Sequence, residues 1–463
     1  MTAKSYPSKL QKFLDKSLRK FNVPGASLAI LRRNKIYATA NSGVTSLKTN
    51  IPVSEDTLFQ IGSITKTLTA TLVMQLLDEG LIELDAPVIR YLPNFQVGNR
   101  DTAKTVTIRQ LLSHQSGIDG DYFVDSGRGA DSIANLLEKA SLIPSLFPPG
   151  QKLSYCNLGF VILGRVTEVV TGQTWDQVLQ TRLFDVLDMQ DAFSDPDMAL
   201  KYSCAIGHVQ SSKNKNVWYS SNTPYLSYGQ RPAGSTPTMT ARDLLKFVQM
   251  HVSKGRSGDG QRVLKAASIN TMQRQQIKAQ KHSPPDIKGW GLGWMLFDWN
   301  GTKLYGHDGA TIGQRAYLRV CPDKDIAVAL LTNGGDGAGL FREIFSEIFE
   351  HLAQSTMPPL PASNPNLQIN LDNYIGDYKN INEEIQIRRT RENQETQLTV
   401  SHYVPGFGYQ PQTRDLKLIF IDKNTAKLDT GDEVTDRGLY LFSDYDEHQK
   451  AKFVLTGLRQ YRR

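Results

Sequence analysis

The stretch Phe59-Gln60-Ile61-Gly62-Ser63-Ile64-Thr65-Lys66 decides both the fold and the chemistry predicted for this chain. Gly62 ends an apolar segment, and a helical run follows from Ser63 to Leu77, which places Ser63 at a helix N-terminus. Lys66 lies three residues further along, on the same helix face. A serine hydroxyl becomes a strong nucleophile when a base takes its proton, and a desolvated lysine can be that base. The spacing therefore predicts serine acyl-transfer chemistry.

The Ser-x-x-Lys spacing is a weak signal when it is taken alone. A chain of this length contains roughly two such pairs by chance, and the pairs Ser17/Lys20 and Ser212/Lys215 match as well. The alternative interpretation is a serine that caps a helix, beside a solvated lysine. The choice between the two depends on the rest of the chain.

Composition indicates an ordinary globular protein of more than one domain. The chain has 463 residues, of which 40% are hydrophobic and 21% charged. The net charge of +7 is dispersed, so we expect no nucleic-acid partner. Cys156, Cys204 and Cys321 have no paired spacing, which predicts a reducing compartment and no structural metal. The sequence shows no leader and no long apolar run, so we expect a cytoplasmic protein without membrane contact.

The order of the predicted elements divides the chain into two domains. A hairpin at the start, helices in the middle, antiparallel strands and a final helix predict an α+β domain over residues 1–354. Its late strands are predicted at 290–297, 303–306, 314–321 and 326–332. A Pro-rich linker follows at 355–365. Short strand-like segments over 366–463 predict a small antiparallel β-barrel or sandwich.

A second motif, Tyr155-x-Asn157, opens a predicted helix. A tyrosine at this place could share a proton with Ser63 and Lys66, because a cation lowers the pKa of a phenol. Asn157 could hydrogen-bond Lys66 or a substrate amide. The alternative is a buried tyrosine beside a helix-capping asparagine. Cys156 lies between them as a rival nucleophile, but without a placed histidine we interpret it as a small core residue.

A third motif, Gly306-His307-Asp308-Gly309-Ala310, follows a strand-like run. Glycines beside a histidine let a substrate lie close along a strand. His307 could then offer a hydrogen-bond donor to a substrate carboxylate or to developing negative charge. The alternative is a histidine in an ordinary glycine-rich turn.

Taken in order and spacing, Ser63-x-x-Lys66, Tyr155-x-Asn157 and His307-x-Gly309 resemble the class C β-lactamase and penicillin-binding-protein-like serine hydrolases. The resemblance covers about residues 10–352. Further stretches look like signatures of the same family: 111–117, 149–150, 233–235 and 291–294. The chain carries the Tyr-x-Asn form of the second motif, whereas class A enzymes have Ser-Asp-Asn there. It also has His307 where β-lactamases have a lysine.

The resemblance implies an antiparallel sheet flanked by helices and a role for each motif residue. Ser63 would be the acylated nucleophile, Lys66 and Tyr155 would share the general base and acid work, and Asn157 would orient them. His307 would complete the catalytic set. The oxyanion hole would consist of the backbone N–H groups of Ser63 and Ala310, the residue after Gly309. No metal and no organic cofactor is implied.

His307 in place of lysine is typical of the esterase, D-aminopeptidase and peptidase branch. It is also found in the penicillin-binding-protein-type thioesterases that cyclise nonribosomal peptides. We therefore expect hydrolysis of amide or ester bonds in small peptides or esters, with D-configured substrates as a family inference. The alternatives are an acyltransferase, thioesterase or peptide cyclase that passes the acyl group to an amine, and a catalytically inactive ligand-binding module. We expect Tyr122, Tyr225 and Tyr228 to contribute an aromatic pocket.

The C-terminal segment, 366–463, resembles the lipocalin-like barrel that is appended to several peptidases and to those cyclases. Residues 373–378 look like its first strand. The barrel could shape the substrate entrance or mediate formation of a homo-oligomer, and the sequence leaves both roles open.

Overall fold

The structure is a computed structural model that describes residues 6–211, 214, 217–281, 286–364, 367–392, 395–403, 416–429 and 439–463. The chance pair Ser212/Lys215 and the predicted boundary at 365–366 lie outside these ranges. Within the described ranges, no helix combines the length and the apolar character needed to cross a bilayer.

The first domain is built on an antiparallel sheet. The strands described in this domain are β1 (Gly25–Arg32), β2 (Lys35–Gly43), β3 (Phe59–Gln60), β4 (Ala192–Phe193), β5 (His208–Gln210), β6 (Trp218–Ser220), β7 (Thr238–Met239), β8 (Ile277–Lys278), β9 (Ile287–Trp290), β10 (Met295–Trp299), β11 (Thr302–Thr311), β12 (Gln314–Cys321) and β13 (Ile326–Thr332). In the part of the chain that is described, eight of them form one sheet in the order β2-β1-β13-β12-β11-β10-β9-β8. Strands from the two ends of the domain thus pair, with Ala29 opposite Ala329.

Helices cover both faces of this sheet. Those described are α1 (Tyr6–Lys20), α2 (Thr65–Asp78), α3 (Arg100–Thr105), α4 (Ile108–Leu112), α5 (Ser132–Lys139), α6 (Asn157–Thr171), α7 (Trp175–Leu179), α8 (Pro196–Ala199), α9 (Ala241–Val252), α10 (Ala266–Gln273) and α11 (Gly337–Ala353). Successive side chains of a strand point to opposite faces. Leu28 and Ile30 accordingly pack in the cluster that contains α1 and α11. Ala29 and Leu31 pack in the cluster that contains α2, α6 and α9. The predicted α+β sandwich is confirmed.

The C-terminal segment is a closed antiparallel barrel rather than a sandwich. The strands described there are β14 (Gly376–Lys379), β15 (Glu384–Glu392), β16 (Glu395–Tyr403), β17 (Leu416–Asp422), β18 (Thr425–Leu428), β19 (Leu439–Tyr445), β20 (Ala451–Thr456) and β21 (Arg459–Arg462). Buried rings fill its interior, among them Tyr374, Tyr378, Phe420 and Phe442. The hydroxyl of Tyr378 donates to the carbonyl oxygen of Tyr374 at 2.9 Å, which satisfies a polar atom inside the barrel.

The barrel lies against the first domain through apolar and charged contacts. Phe453 of β20 packs edge-on against Phe147, with ring centroids 6.3 Å apart. Lys152 Nζ lies 2.6 Å from a carboxylate oxygen of Asp444. The last helix of the first domain ends at Ala353 and the first barrel strand begins at Gly376. The domain boundaries themselves stay a prediction.

Candidate active site

Ser63 lies on a tight turn between β3, a short strand outside the eight-stranded sheet, and the buried helix α2. The turn is a 3-10 helix over Gly62–Ile64, and α2 continues directly from it. Gly62 has a φ of +52°, and a Cβ atom there would lie 2.6 Å from the backbone nitrogen of Ala310. Only glycine fits such a close approach in a left-handed conformation. The sequence therefore brings Ser63 and Ala310 together by omitting a side chain between them.

Lys66 is buried beside Ser63. Its Nζ atom lies 3.0 Å from Ser63 Oγ and donates a hydrogen bond to the carbonyl oxygen of Ala233 at 2.6 Å. Burial, the largest cause, lowers the pKa of Lys66 well below its usual value; Asp121 opposes this shift and Arg459 adds to it. A lysine in such surroundings gives up its proton readily, so its lone pair can take the proton of Ser63.

Tyr155 closes the other side of Ser63. Lys66 Nζ lies 4.9 Å from the centre of its ring, and the ring of His114 stacks on it at 4.2 Å. Burial raises the pKa of Tyr155, while a hydrogen bond with Ser63 and the charge of Arg459 lower it in part. The net shift is upward, so the phenol keeps its proton in the resting site. Lysine and tyrosine thus have pKa values displaced in opposite directions.

Asn157 and Cys156 occupy the first turn of α6. The side-chain amide of Asn157 donates to Oδ1 of Asp121 at 2.6 Å, whereas the partners of Lys66 are Ser63 and Ala233. Cys156, not Asn157, caps the helix, because its sulfur accepts from the backbone of Gly159 at 3.3 Å. Burial raises the pKa of Cys156 to about 12. A protonated, buried thiol is a poor nucleophile, which supports the interpretation of Cys156 as a core residue.

His307 is buried on β11, facing the same cavity. Its Nδ1 atom lies 2.6 Å from the carbonyl oxygen of Asp308. Because a carbonyl oxygen only accepts, Nδ1 carries the proton and Nε2 is left as an acceptor. Burial, assisted by the charge of Lys66, lowers the pKa of His307 to about 3. The neutral ring can therefore accept a hydrogen bond through Nε2, and the predicted donor role requires its protonated form.

Gly309 and Ala310 lie against the turn that carries Ser63. A Cβ atom on Gly309 would lie 1.9 Å from the carbonyl oxygen of Ile61 and 3.2 Å from the backbone nitrogen of Ser63. The absence of a side chain at Gly309 lets β11 approach the nucleophile. The backbone N–H groups of Ser63 and Ala310 thus come from two segments in close contact. Their role as an oxyanion hole stays a prediction.

A cavity of about 490 Å³ opens over these residues. Among the described residues, its wall includes Phe123, Leu226 and Gln230 but not the predicted Tyr122, Tyr225 and Tyr228. The lining residues Phe123 and Leu226 directly follow the predicted Tyr122 and Tyr225 in the sequence. These residues lie in irregular segments, where no periodicity of the sequence indicates which of two neighbours lines a cavity. The predicted aromatic lining is therefore corrected in this respect.

Several residues of the site had no assigned role in the sequence. Ala233 and His114 lie within signature stretches, but those stretches do not show that the carbonyl oxygen of Ala233 accepts from Lys66. His114 holds the segment that carries Tyr155: its carbonyl oxygen accepts from Ser154 N–H and its Nδ1 from Cys156 N–H, both at 3.0 Å. Asp121 lies in a loop without a motif, and Arg459 is more than 300 residues away from Tyr155 in sequence.

The described residues contain no group of three or more His, Cys, Asp or Glu side chains that could hold a metal ion.

Comparison with known proteins places the first domain in a family. Residues 10–353 match the family model described as "Beta-lactamase". The chain is 41% identical over 341 residues to "Penicillin-binding protein 4" of Amycolatopsis lactamdurans. That alignment covers 73% of this chain and 88% of the relative. The match region agrees with the span of the resemblance seen in the sequence.

Solved structures extend the likeness to the fold. The crystal structure of SurE superposes with a TM-score of 0.76 and 23% identity, covering 100% of both chains. The octameric penicillin-binding protein homologue from Pyrococcus abyssi gives a TM-score of 0.63 at 21% identity, over 98% of this chain and 99% of that one. D-amino acid amidase from Ochrobactrum anthropi SV3 gives a TM-score of 0.63 at 22% identity, over 75% and 99%. At these identities the likeness concerns the fold.

Proposed function

This chain belongs to the beta-lactamase family of serine hydrolases, and we propose that it cleaves amide or ester bonds of small peptides or esters through an acyl-Ser63 intermediate. The observation that carries the proposal is the contact between Lys66 Nζ and Ser63 Oγ, 3.0 Å apart in a buried setting that lowers the lysine pKa. This arrangement provides a nucleophile with its base at hand.

Each proton in the proposed reaction has a place. Lys66 takes the proton of Ser63 as Oγ attacks the substrate carbonyl carbon. The backbone N–H groups of Ser63 and Ala310 stabilise the oxyanion, a contribution of about 10²–10³ in rate per donor. Tyr155 gives its proton to the leaving amine or alcohol as the bond breaks, and the proton held by Lys66 restores the phenol. Water then attacks the acyl-Ser63 ester. Lys66, neutral again, takes one proton from this water and returns it to Ser63 Oγ as the ester bond breaks, which releases the acid and free Ser63.

His307 supports a preference among acyl donors. Its neutral ring offers an acceptor at the place where β-lactamases have a lysine cation. A hydrogen-bond acceptor such as Nε2 of His307 repels a carboxylate and accepts a hydrogen bond from an N–H or O–H group. We therefore favour substrates without a carboxylate at this position, such as amides and esters, over β-lactam drugs. D-configured substrates are part of the proposal, supported by the description of one structural neighbour as a D-amino acid amidase.

Acyl transfer to an amine is the second candidate, as in an acyltransferase, thioesterase or peptide cyclase. Gly457, Leu458 and Arg459 of the barrel form part of the cavity wall, and a wall from a second domain can serve to keep water from the acyl-enzyme. A site that excludes water gives an amine nucleophile time to react. The third candidate, an inactive binding module, has no explanation for the buried lysine beside Ser63.

The test is the intact mass of the protein after brief exposure to activated esters of a D-amino acid and of its L-isomer, with and without an added amine. We expect a transient adduct on Ser63 that resolves to free acid, forms faster with the D-ester and is absent in Ser63→Ala. Ser17→Ala is the matched control, since Ser17 begins a chance Ser-x-x-Lys pair and donates to Glu343 far from the site. Transfer of the acyl group chiefly to the amine would select the second candidate. No adduct with any donor would select the binding module.

A homo-oligomer is a further part of the proposal, supported by the description of one structural neighbour as octameric. Sedimentation analysis tests it, and a single species of 51.7 kDa would contradict it. The cytoplasmic location stays a prediction from sequence.

A further inference from the structure

The tip of one barrel hairpin enters the catalytic site. Gly457 and Leu458 connect β20 to β21, and they line the cavity of Ser63 together with Arg459. Both tip residues have left-handed backbones, with φ values of +54° and +68°. Such a conformation is uncommon for leucine and marks a place where the surroundings dictate the backbone.

Three hydrogen bonds join this hairpin to the segment that carries Tyr155. The carbonyl oxygen of Leu458 accepts from the backbone N–H of Tyr155 at 2.8 Å. The backbone N–H of Gln460 donates to Ser154 Oγ at 3.1 Å, and its side-chain amide donates to the carbonyl oxygen of Leu153 at 3.2 Å. These three hydrogen bonds join the hairpin of the barrel to the segment of the first domain that ends at Tyr155.

Arg459 adds a charged connection to the same place. Its guanidinium carbon lies 4.8 Å from the centre of the Tyr155 ring, and its Nε donates to Oδ2 of Asp121. Oδ1 of Asp121 accepts from the amide of Asn157 at 2.6 Å. Because a carboxylate only accepts, this bond fixes which end of the Asn157 amide is the donor and leaves its oxygen as an acceptor. One arginine of the barrel thus contacts Tyr155 directly and reaches Asn157 through Asp121.

We propose that the barrel is a working part of the active site, and that Arg459, acting through Asp121, is a positioning residue that fixes Asn157 and Tyr155 beside Ser63 and Lys66. This inference rests on the proposed acyl-Ser63 chemistry. Of the two roles that the sequence left open for the barrel, the inference favours a part in shaping the substrate entrance, because the hairpin tip lines the cavity of Ser63.

A purely structural role makes a different prediction. If Arg459 only fastens the barrel, its loss resembles the loss of any other ion pair between the domains. The pair Lys152–Asp444 provides that comparison, because it joins the same two domains outside the cavity wall. Asp444→Asn removes its charge, and asparagine tolerates the left-handed backbone of Asp444, whose φ is +52°.

A positioning role near Lys66 also leaves a signature in the pH profile. Arg459 lowers the pKa of Lys66 and Asp121 raises it, both behind the larger effect of burial. Because Lys66 must be neutral to act as a base, the acylation rate falls at low pH as Lys66 becomes protonated. This acidic limb of the pH–rate profile therefore moves with the pKa of Lys66. The titratable groups and charges that surround it are Tyr155, Cys156, His114, His307, Asp121 and Arg459. Removing the two opposite charges one at a time therefore shifts the limb in opposite directions.

The experiment measures the rate of Ser63 acylation by an activated ester across pH for the full chain and for four variants, with melting temperatures recorded in parallel. We expect Arg459→Met to lose about 10- to 100-fold in acylation rate and to move the acidic limb to higher pH by at least ~0.5 unit. Asp121→Asn moves the limb to lower pH, Arg459→Lys recovers part of the rate, and Asp444→Asn acylates as the unchanged protein does.

Two results would overturn the inference. The first is that Arg459→Met acylates at the rate of the unchanged protein. The second is that Asp444→Asn and Arg459→Met lose the same factor in acylation rate, and that the acidic limb of the pH–rate profile shifts in neither variant. A failure of the proposed function looks different, because the unchanged protein then forms no adduct at all.

Discussion

The backbone N–H of Tyr155 in the first domain donates a hydrogen bond to the carbonyl oxygen of Leu458 in the barrel, 2.8 Å away. Tyr155 and Leu458 both line the cavity that contains Ser63. The shape of the site therefore depends on residues from both domains.

Replacement of Leu458 by glycine should widen the cavity without disturbing the hairpin. Glycine adopts the φ of +68° freely, so relief of backbone strain of about 1 kcal/mol offsets part of the lost packing. We expect a melting temperature close to the original and a several-fold increase in kcat/KM for bulky acyl esters relative to acetyl esters. A large fall in melting temperature, or equal changes for both ester sizes, would contradict a wall formed by this side chain.

Lys66→Met should greatly slow the acylation of Ser63 while preserving the fold. The variant removes the base but keeps an unbranched side chain of similar length in the buried site, so we expect a loss of about 10²–10⁴ in acylation rate. The melting temperature should hold or rise, because an ionisable group leaves an apolar environment. Lys20→Met is the control, since Lys20 belongs to a chance Ser-x-x-Lys pair and contacts Glu343 at the surface. Comparable losses in both variants would rule out the assigned role.

His307→Lys should change which acyl donors react. A cation in place of the neutral acceptor attracts a carboxylate, so we expect acylation by a β-lactam to rise at least ~10-fold relative to acylation by a neutral ester. His448→Lys adds the same charge at an exposed barrel position and should leave this ratio unchanged. An unaltered ratio in His307→Lys would show that the third motif does not select among donors in this way.

Asp119 should make the fold less stable as the pH rises. Burial raises the pKa of Asp119 to about 7 from 3.8, although a hydrogen bond from the backbone N–H of Ile381 in the barrel opposes the shift. The folded protein then binds this proton more tightly than the unfolded chain does, so stability is greatest below pH 3.8 and falls as the pH rises towards about 7.

Asp119→Asn tests this dependence by urea unfolding at pH 5 and pH 8. The amide still accepts from Ile381 but carries no charge, so the free energy of unfolding at pH 8 should rise by up to about 4 kcal/mol. At pH 5 the rise in the free energy of unfolding should be smaller, because the buried Asp119 of the unchanged protein then still holds its proton. An equal change at both values would mean that Asp119 is ionised throughout this range.

Local signals in the sequence predicted local structure well. Thr240 caps α9 and Thr107 caps α4, because the side chain of each threonine accepts from the backbone N–H three residues ahead, a local contact that is typical of helix starts. The strands predicted at 314–321 and 326–332 are confirmed. In contrast, the run 290–297 is two strands separated by a turn. Gly293 there has a φ of +77°, and a Cβ atom on it would lie 2.4 Å from Cβ of Ala70. That contact comes from α2, which no local pattern reveals.

The candidate site likewise contains some residues that a local motif predicts and others that only contacts between distant segments bring into place. Ser63, Tyr155 and His307 each belong to a short motif, so their contribution could be predicted and the fold brings them to one cavity. Asp121 and Arg459 owe their place to the docking of the barrel, and their pairing depends on contacts between segments about 340 residues apart. The protonation of His307 depends on the carbonyl of its neighbour and on burial, neither of which a motif encodes.

The packed rings inside the barrel have a consequence for how this enzyme can diversify. Because these buried rings pack against one another, a substitution among them would disturb the packing of the barrel. Gly457 and Leu458, at the hairpin tip, are not part of this packed cluster inside the barrel. Substitutions at this short hairpin tip can thus change the wall of the cavity while the packed rings of the barrel, and Ser63, Lys66 and Tyr155 of the first domain, stay as they are.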